Sequence, residues 1–329
     1  MPVIATPASP KICVVIVNWN GGDMLRRSVA ALLRQTFAPH EILVIDNASS
    51  DGSGAAVALE FPTVRVINAG SNLGFAAGNN LAVRLADPAC DWIALLNPDA
   101  FAEPDWLAKL AEAAVAHPEF AIFGSRLMDA NTGTLLDGVG DAYHISGLVW
   151  REAHGQALQP EHLQDREIFS TCAAAGLYRR DVFEQIGGFD EDYFCYVEDI
   201  DLGFRYQLLG QRCLYVHDSV AFHLGSAITG KRSDFSVYHG HRNLVWTFIK
   251  NMPGALFWLL LPLHLLLNLL TIGYFIVHGQ AAVILRAKRD ALRGLPKMWA
   301  KRRLIQQQRR VGLAPIWRLL NKKMMRDRT

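Results

Sequence analysis

The stretch KICVVIVNWNGG at residues 11–22 decides the fold class of this 329-residue chain. Its first seven residues form a β-branched, apolar run, which predicts a buried parallel strand over residues 11–17. The run ends in a turn cluster of Asn, Trp and Gly, and the apolar spacing beyond it predicts a helix over residues 23–35. A strand that leads through a short turn into a helix is the repeating unit of an α/β sheet.

The same unit recurs through the first hundred residues. Apolar runs predict further strands over residues 41–45, 64–68 and 92–96. This strand–helix alternation predicts an α/β fold, a doubly wound sheet with right-handed crossovers. Hydrophobic residues make up 51% of the chain, which excludes a disordered protein and is enough for a sizeable core.

Polar side chains follow three of the predicted strands. Asn18, Asp46 and Asp99 each lie just past the carboxyl end of a strand. Taken singly, each is more simply a helix cap or a turn residue. Three of them at one edge indicate a shared site, because ligands of open α/β sheets bind at that edge.

Glycine-rich motifs narrow the class of ligand. No G-x-G-x-x-G follows the first strand and no G-x-x-x-x-G-K-[ST] is present, so neither a nicotinamide site nor a P-loop is expected. The segment NLGFAAGNN at residues 72–80 opens a helix, and its backbone donors could face a phosphate or a sugar. A simple connecting loop explains that segment equally well.

A dense acidic segment lies at residues 185–203, where six carboxylates fall within twelve residues. Glu198 and Asp199 stand between apolar neighbours, so we expect them to be partly buried, which raises a carboxylate's pKa and suits it to accept a proton. We expect Asp190 and Asp192 to be solvated turn residues instead.

His223 follows a strand that is predicted in two pieces, residues 213–216 and 220–222. A lone histidine is most often structural. Together with Asp99, however, it would supply the nitrogen and oxygen ligands that suit Mn²⁺ or Mg²⁺ and diphosphate oxygens.

These motifs occur in the order found in one family. The chain resembles a family 2 glycosyltransferase of the GT-A fold, in the bacterial rhamnosyltransferase-like branch, over about residues 11–250. The resemblance implies a nucleotide-diphosphate-sugar transferase. The matching segments are residues 14–22, 41–53, 72–80, 95–100, 174–205, 217–226 and the Arg-Asn pair at 242–243.

The resemblance implies a role for each matching residue. Asp199 would be the general base, Glu198 would orient the acceptor, and Asp99 and His223 would bind a divalent cation, Mg²⁺ or Mn²⁺. Asn97 stands where the family's DxD motif has its first aspartate, which removes one charge from the metal site. The implied donor-binding residues are Asn18, Trp19, Asp46, Asn72, Gly74, Asn79, Asn97 and Arg242.

The implied reaction is an inverting transfer from dTDP-rhamnose or a UDP-sugar. A single base and one direct displacement invert the anomeric centre, through a transition state that resembles an oxocarbenium ion. The alternative is a catalytically silent nucleotide-sugar-binding membrane scaffold of the same fold. A glycoside hydrolase that uses paired carboxylates is a third possibility, which the nucleotide-type strand ends disfavour.

The C-terminal part has a different composition. Residues 251–285 carry no formal charge, and residues 254–277 are long and apolar enough to span a bilayer. Residues 280–329 hold 15 basic and two acidic residues, a net charge of +13 that is hidden by a total of +2. We expect residues 1–10 to be a flexible N-terminus, 11–250 the GT-A domain, and 251–329 a membrane-associated helical region with a basic amphipathic tail.

This composition predicts the cellular setting. The five scattered cysteines form no CxxC, which indicates reduced thiols in a cytosolic protein, and residues 1–11 have no signal-peptide pattern. We expect the apolar segment to lie in the cytoplasmic leaflet of the inner membrane and the basic tail to bind an anionic membrane surface. A buried helix, packed on the domain or in a dimer, is the alternative.

The expected partners follow from that setting. They are a nucleotide-sugar donor and a lipid-linked saccharide acceptor of surface polysaccharide or cell-wall synthesis. A nucleic-acid partner is not expected, because the basic tail adjoins an apolar segment. The sequence leaves a homo-oligomer open.

Overall fold

The computed structural model describes residues 9–225 and 233–323. The expectations for residues 1–8, and the parts of motifs and tail at 226–232 and 324–329, lie outside the described residues. The strands are β1 (Ile12–Asn18), β2 (Glu41–Asp46), β3 (Arg65–Asn68), β4 (Trp92–Leu96), β5 (Ala100–Ala102), β6 (Phe120–Asp129), β7 (Leu136–Gly138), β8 (Asp141–Tyr143), β9 (Val149–Arg151), β10 (Arg166–Ile168), β11 (Ala175–Arg179) and β12 (Arg212–His223). The α-helices are α1 (Gly22–Leu32), α2 (Ser53–Glu60), α3 (Gly74–Leu85), α4 (Trp106–Ala116), α5 (Arg180–Gln185), α6 (Glu198–Leu208), α7 (Asp234–Asn251), α8 (Gly254–Val277), α9 (Ala281–Arg293), α10 (Leu295–Gln308) and α11 (Leu313–Leu319).

A mixed sheet forms the centre of the molecule. Its strands run in the order β10-β12-β6-β11-β4-β1-β2-β3, with β5 added beside β12 and β7 beside β6. The strands of the first half are parallel, as predicted, and their register places Asn18 directly beside Asp46. The second half differs from a doubly wound sheet, because β11 runs antiparallel to both β4 and β6.

Helices cover both faces of this sheet. Along β1, Ile12, Val14 and Ile16 face the core formed with α1, α2 and α4, whereas Cys13 and Val15 face the core formed with α3, α5 and α6. A strand that is apolar on both faces is explained by this two-sided cover. Each fully buried aliphatic side chain contributes about 1.5–3 kcal/mol to folding.

One strand places a predicted ligand. The sequence predicts one strand in two pieces, residues 213–216 and 220–222, and β12 is continuous, with an irregular register between Val216 and Val220. The irregularity absorbs the polar residues in between. The end of β12 pairs with β5, so that His223 lies opposite Ala100, the residue directly after Asp99.

The C-terminal helices pack on the sheet domain through α7, which contacts α6, α9 and α10. Tyr193, Trp246 and Met298 form part of the shared core. α8 is different, because it is long and apolar enough to cross a membrane while most of its side chains lie on the surface. Leu269 is 67% exposed and Val277 is 82% exposed. The helix therefore presents a large apolar face that residues 9–225 and 233–323 leave uncovered.

Candidate active site

The carboxyl ends of β1 and β2 form a rigid polar edge. Asn18 is fully buried, and its Nδ2 donates to Asp46 Oδ1 at 2.8 Å and to Ser53 Oγ at 2.9 Å. Ser49 Oγ donates to the same Asp46 oxygen at 2.6 Å. Trp19 follows directly and is 41% exposed. The structure thus brings together Asn18 and Asp46 and leaves the Trp19 ring open at the surface beside them.

The loop that begins α3 is tied to two other segments. Gly74 has a φ of +79°, and its amide donates a hydrogen bond to Asn72 Oδ1 at 2.9 Å. The Gly74 carbonyl accepts from Asn47 Nδ2 at 3.0 Å, which joins this loop to the end of β2. The carbonyl of Phe194 accepts from the amide of Phe75 at 2.7 Å, which joins it to the acidic segment.

Two asparagines of α3 have contacts that the sequence does not reveal. Asn79 is buried, and its Nδ2 donates to the Phe75 carbonyl one turn earlier. Asn80, which sequence reasoning missed, bonds to both the amide and the carbonyl of Phe189, at 2.8 and 2.9 Å. Two adjacent asparagines in a predicted helix gave no signal for these hydrogen bonds between Asn80 and the Phe189 backbone.

A second group of polar side chains gathers where β4, β5 and β12 meet. His223 Nε2 lies 3.4 Å from Asp99 Oδ1 and 3.4 Å from Asn97 Nδ2. Its Nδ1 lies 2.8 Å from Asp137 Oδ2. Burial lowers the pKa of the His223 imidazole, but its hydrogen bonds to Asp137 and Asp99 outweigh this and raise it to about 8.

Asp137 was not among the residues singled out from the sequence. It is buried and bound by Arg151 Nη1, with His154 Nδ1 at 3.3 Å from its other oxygen. Burial raises the pKa of Asp137, but Arg151, His154 and His223 together hold this pKa well below its usual range. Arg151 also reaches Cys172 Sγ at 2.9 Å. The segment around Asp137 shows no clear periodicity, so its place beside His223 could not be read from spacing.

These residues suit a divalent cation held mainly by its substrate. Asp99 and His223 supply one oxygen and one nitrogen, and the buried Asn97 Oδ1 has no hydrogen-bond partner in the described residues. Among those residues no group of three or more His, Cys, Asp and Glu side chains forms a ready metal cage. Mg²⁺ in particular is commonly bound by one or two carboxylates together with phosphates and waters. The donor set therefore fits a cation shared with a diphosphate.

The two central carboxylates begin α6. Glu198 is buried and its Oε2 has no hydrogen-bond partner in the described part of the chain. Asp199 accepts from the amide of Ile200 at 2.8 Å and from the amide of Ala173 at 3.4 Å. Burial raises the pKa of Asp199, and burial together with the Asp199 charge raises that of Glu198. This confirms the expected burial, which suits proton acceptance near neutral pH.

Backbone strain precedes these carboxylates. Phe194, Tyr196 and Val197 have φ values of 63°, 70° and 69°, a region that non-glycine residues rarely occupy. Such strain persists only where the surroundings fix it, and it concentrates at functional sites. The turn aims the start of α6, with Glu198 and Asp199, at the sheet edge.

Arg242 and Asn243 of α7 hold this strained turn. Arg242 Nη2 donates to the carbonyls of Asp192 and Tyr193 at 3.0 and 2.9 Å. Asn243 Nδ2 lies within 3.1 Å of the carbonyls of Tyr193, Cys195 and Tyr196. In this structure the Arg242 guanidinium is therefore engaged by the loop backbone, and the Arg-Asn pair positions the segment before Glu198.

Asp190 caps a turn as expected, since it accepts from the amide of Asp192, but Asp190 is not solvated and both carboxylates are paired with lysines. Asp190 is bound by Lys250, which is 1% exposed, and by Lys301 of α10. Asp192 pairs with Lys297 at 2.6 Å and with Lys301 at 2.7 Å. The sequence could not show this, because the basic partners lie more than fifty residues away. Part of the basic tail is thus neutralised by the acidic segment.

Comparison with known proteins identifies the family of the chain. Residues 13–187 match the family described as glycosyl transferase family 2. The N-acetylglucosaminyl-diphospho-decaprenol L-rhamnosyltransferase of Mycobacterium tuberculosis is 30% identical over 271 residues, which is 76% of this chain and 87% of that protein. This relative supports the rhamnosyltransferase-like branch.

Two solved structures share the fold. The mannosyltransferase PcManGT from Pyrobaculum calidifontis, in complex with GDP-Man and Mn²⁺, has a TM-score of 0.55 at 15% identity and covers 92% of this chain and 88% of its own. GalNAc-T7 with UDP, GalNAc and Mn²⁺ has a TM-score of 0.58 at 17% identity, over 74% of this chain and about half, 48%, of that chain. The predicted α/β fold with a C-terminal helical region is confirmed, and the chain belongs to glycosyl transferase family 2, with the GT-A fold.

Proposed function

We propose that this protein is an inverting, metal-dependent glycosyltransferase that moves a sugar from a nucleotide-diphosphate donor to a lipid-linked saccharide. The observation that carries the proposal is Asp199, a partly buried carboxylate with a raised pKa at the start of α6. It belongs to the same sheet domain as the Asp99–His223 pair. One base and one displacement invert the anomeric centre.

The donor would lie along the carboxyl edge of the sheet. Asn18 and Asp46 offer fixed polar groups for a base and ribose, and Trp19 offers an exposed ring to stack on. The loop from Asn72 to Asn79 would line the same pocket. The donor is dTDP-rhamnose or a UDP-sugar, and the M. tuberculosis relative, named as an L-rhamnosyltransferase, favours the first.

Asp99 and His223 would hold Mg²⁺ or Mn²⁺ on the donor diphosphate. A bound cation of this kind acts as a Lewis acid and a template for a phosphate leaving group. Asp137 fixes the His223 ring from the opposite side, and the Asn97 amide completes the wall of the site. Both solved structures above were determined with Mn²⁺ and a nucleotide, which supports this assignment.

Asp199 would take the proton from the acceptor hydroxyl while the new glycosidic bond forms. Glu198 would orient the acceptor through its Oε2, which has no hydrogen-bond partner among the described residues. A hydroxyl is a weak nucleophile near neutral pH, so a well-placed base accelerates attack by about 10²–10⁴. The alternative of a silent scaffold gives no reason to keep two buried carboxylates with raised pKa values at this place.

The acceptor and location follow from the C-terminal region, residues 251–329. We infer that α8 lies in the cytoplasmic leaflet of the inner membrane, since its exposed apolar side chains stand beside the basic helices α9 and α10. Anionic headgroups would bind the exposed basic residues. The M. tuberculosis relative acts, by its name, on a diphospho-decaprenol-linked sugar, which supports a lipid-linked acceptor in cell-wall or polysaccharide synthesis.

The test is a panel of nucleotide sugars, scored by thermal shift with Mn²⁺, Mg²⁺ or EDTA and then by transfer to a diphosphopolyprenyl sugar. We expect one donor to stabilise the protein only with metal, and the product to have the inverted anomeric configuration. Asp199→Asn is the matched variant, because it should bind that donor without transferring the sugar. Donor binding without transfer by the wild type to any acceptor would favour the scaffold.

A further inference from the structure

An open groove runs between α7 and α10, away from the carboxylates and from the Asp99–His223 pair. Its volume is about 460 Å³, and its wall is almost entirely apolar. The side chains that line it are Ile249, Leu295, Pro296, Trp299, Ala300 and Arg303. A mostly apolar concavity with one charged group at its edge suits an amphipathic ligand.

The inner end of the groove adjoins the catalytic helix. Ile249 and Val197 pack against the same cluster of buried residues, and Leu295 joins them there. Val197 is the residue directly before Glu198 and has the strained φ described above. Two residues of the groove wall thus share a buried cluster with the residue that precedes Glu198.

The outer end adjoins the exposed face of α8. The Trp299 ring meets the Phe257 ring edge-on, with 5.7 Å between their centroids. Phe257 is followed in α8 by Trp258 and Leu259, both about two-thirds exposed, at 65% and 66%. The groove wall thus contacts α8 through the Trp299 and Phe257 rings, with the Arg302 guanidinium over both of them.

The charges around the groove differ in availability. Lys297 and Lys301 are paired with Asp192 and Asp190. Arg303 is exposed, and no hydrogen bond or ion pair of its guanidinium occurs among the residues that the structure describes. A free guanidinium beside an apolar wall is complementary to a diphosphate attached to a hydrocarbon chain, because guanidinium binds phosphate oxygens in pairs.

We propose that this groove binds the isoprenoid chain of the lipid-linked acceptor next to its diphosphate, with Arg303 on the diphosphate. The inference rests on the proposed function and adds to it the place where the lipid enters. Each CH₂ group that leaves water for such a wall gains about 0.8 kcal/mol. The diphosphate would then lie at the Arg303 end of the lining, and the first isoprenoid units would lie along Trp299 and Leu295.

The experiment compares two acceptors with the same diphosphate and sugar, one on a long polyprenyl chain and one on a single isoprenoid unit, in the same detergent. We expect the wild type to prefer the long chain. Ala300→Trp, which fills the groove, should lower that preference in kcat/KM by roughly tenfold and leave kcat with the short acceptor unchanged. Gln307→Trp, an exposed position of the same helix outside the groove lining, is the matched control.

A second variant tests the charge separately. Arg303→Gln should raise KM for both acceptors by a similar factor, because both carry the diphosphate. Arg310→Gln, also exposed, is its control. The proposal is overturned if Ala300→Trp keeps the wild-type preference, if it lowers activity equally on both acceptors, or if the wild type does not distinguish them. A wild type that uses neither acceptor while binding its donor would instead refute the proposed function.

Discussion

His223 donates through Nδ1 to Asp137 at 2.8 Å, and this contact turns Nε2 toward Asp99. A carboxylate on one ring nitrogen fixes the tautomer and the orientation of a histidine that binds metal with the other. Arg151 and His154 hold Asp137 in turn. The orientation of the His223 ring is therefore fixed without a bound cation.

Asp137→Asn should weaken Mn²⁺ binding by roughly 10- to 100-fold, because the orienting carboxylate charge is lost. Titration of Mn²⁺ by electron paramagnetic resonance measures this directly, without any turnover. Asp165→Asn is the matched control, since Asp165 contacts His217 Nδ1 at 2.6 Å in a carboxylate–histidine pair elsewhere on the surface. Equal Mn²⁺ affinity in the Asp137 variant and the wild type would contradict the orienting role.

Asp199→Asn should lower kcat by about 10²–10⁴ while donor affinity stays unchanged, because the amide cannot accept the acceptor proton. Glu198→Gln should act mainly on the acceptor KM. Stopped transfer assays, with donor affinity taken from thermal shift, separate the two effects. Retention of full kcat by the Asp199 variant would rule out its role as the base.

The pH dependence of transfer should report the raised pKa of Asp199. Only the ionised carboxylate accepts a proton, so the rate should fall as the pH drops through a pKa above the usual aspartate range.

Asp141, also buried beside Asp199, has its pKa raised by burial and by the Asp199 charge. Asp141→Asn imitates its protonated form, so kcat should change by no more than a few fold.

Gly74→Ala should abolish donor binding and destabilise the fold. A Cβ there would lie 2.5 Å from the Phe194 ring and 2.6 Å from the Phe194 carbonyl oxygen, at a φ of +79°. Gly52→Ala is the matched control, because its φ of +77° is similar and nothing lies within 4 Å of its Cβ. Thermal unfolding should show a loss of about 1 kcal/mol for the control and more for Gly74→Ala.

Charges on the outer face of α8 should release the protein from membranes. Leu266→Glu with Leu269→Glu places two carboxylates on exposed positions, so the fold should be unaffected. Co-sedimentation with vesicles that contain anionic lipid should fall several-fold, because apolar burial is lost and charge repulsion is gained. Undiminished sedimentation of this variant would place the membrane contact elsewhere.

Local sequence reasoning recovered the parallel half of the sheet well. In β1, β2 and β4 each apolar run ends in a polar turn, so hydrophobic pattern and turn chemistry agree. The position of Asn18 and Asp46 at one edge of the sheet was predicted from topology alone. The helix predicted over residues 23–35 ends three residues earlier, at Leu32, since helix ends depend on local capping rather than on periodicity.

Long-range contacts could not be predicted in this way. Asp137, Asn80 and Asn243 take their roles from partners that are 86, 109 and about 50 residues distant, at His223, Phe189 and the Tyr193–Tyr196 turn. Asp190 was expected to be solvated because its partners, Lys250 and Lys301, are also distant in the sequence. A side chain's polarity is visible in a sequence, but the group that it meets across the fold is not.

The ion pairs between the acidic segment and α10 have a practical consequence for protein production. A chain cut after residue 250 would lose Lys301, which binds Asp190, and Arg302, which donates to the carbonyls of Ile249 and Met252. Asp190 would keep Lys250 as its partner, but the cut would also uncover Tyr193 and Trp246, which share a buried apolar cluster with Ala291 and Met298. A water-soluble enzyme is therefore better obtained by substituting polar residues on the outer face of α8 than by truncation.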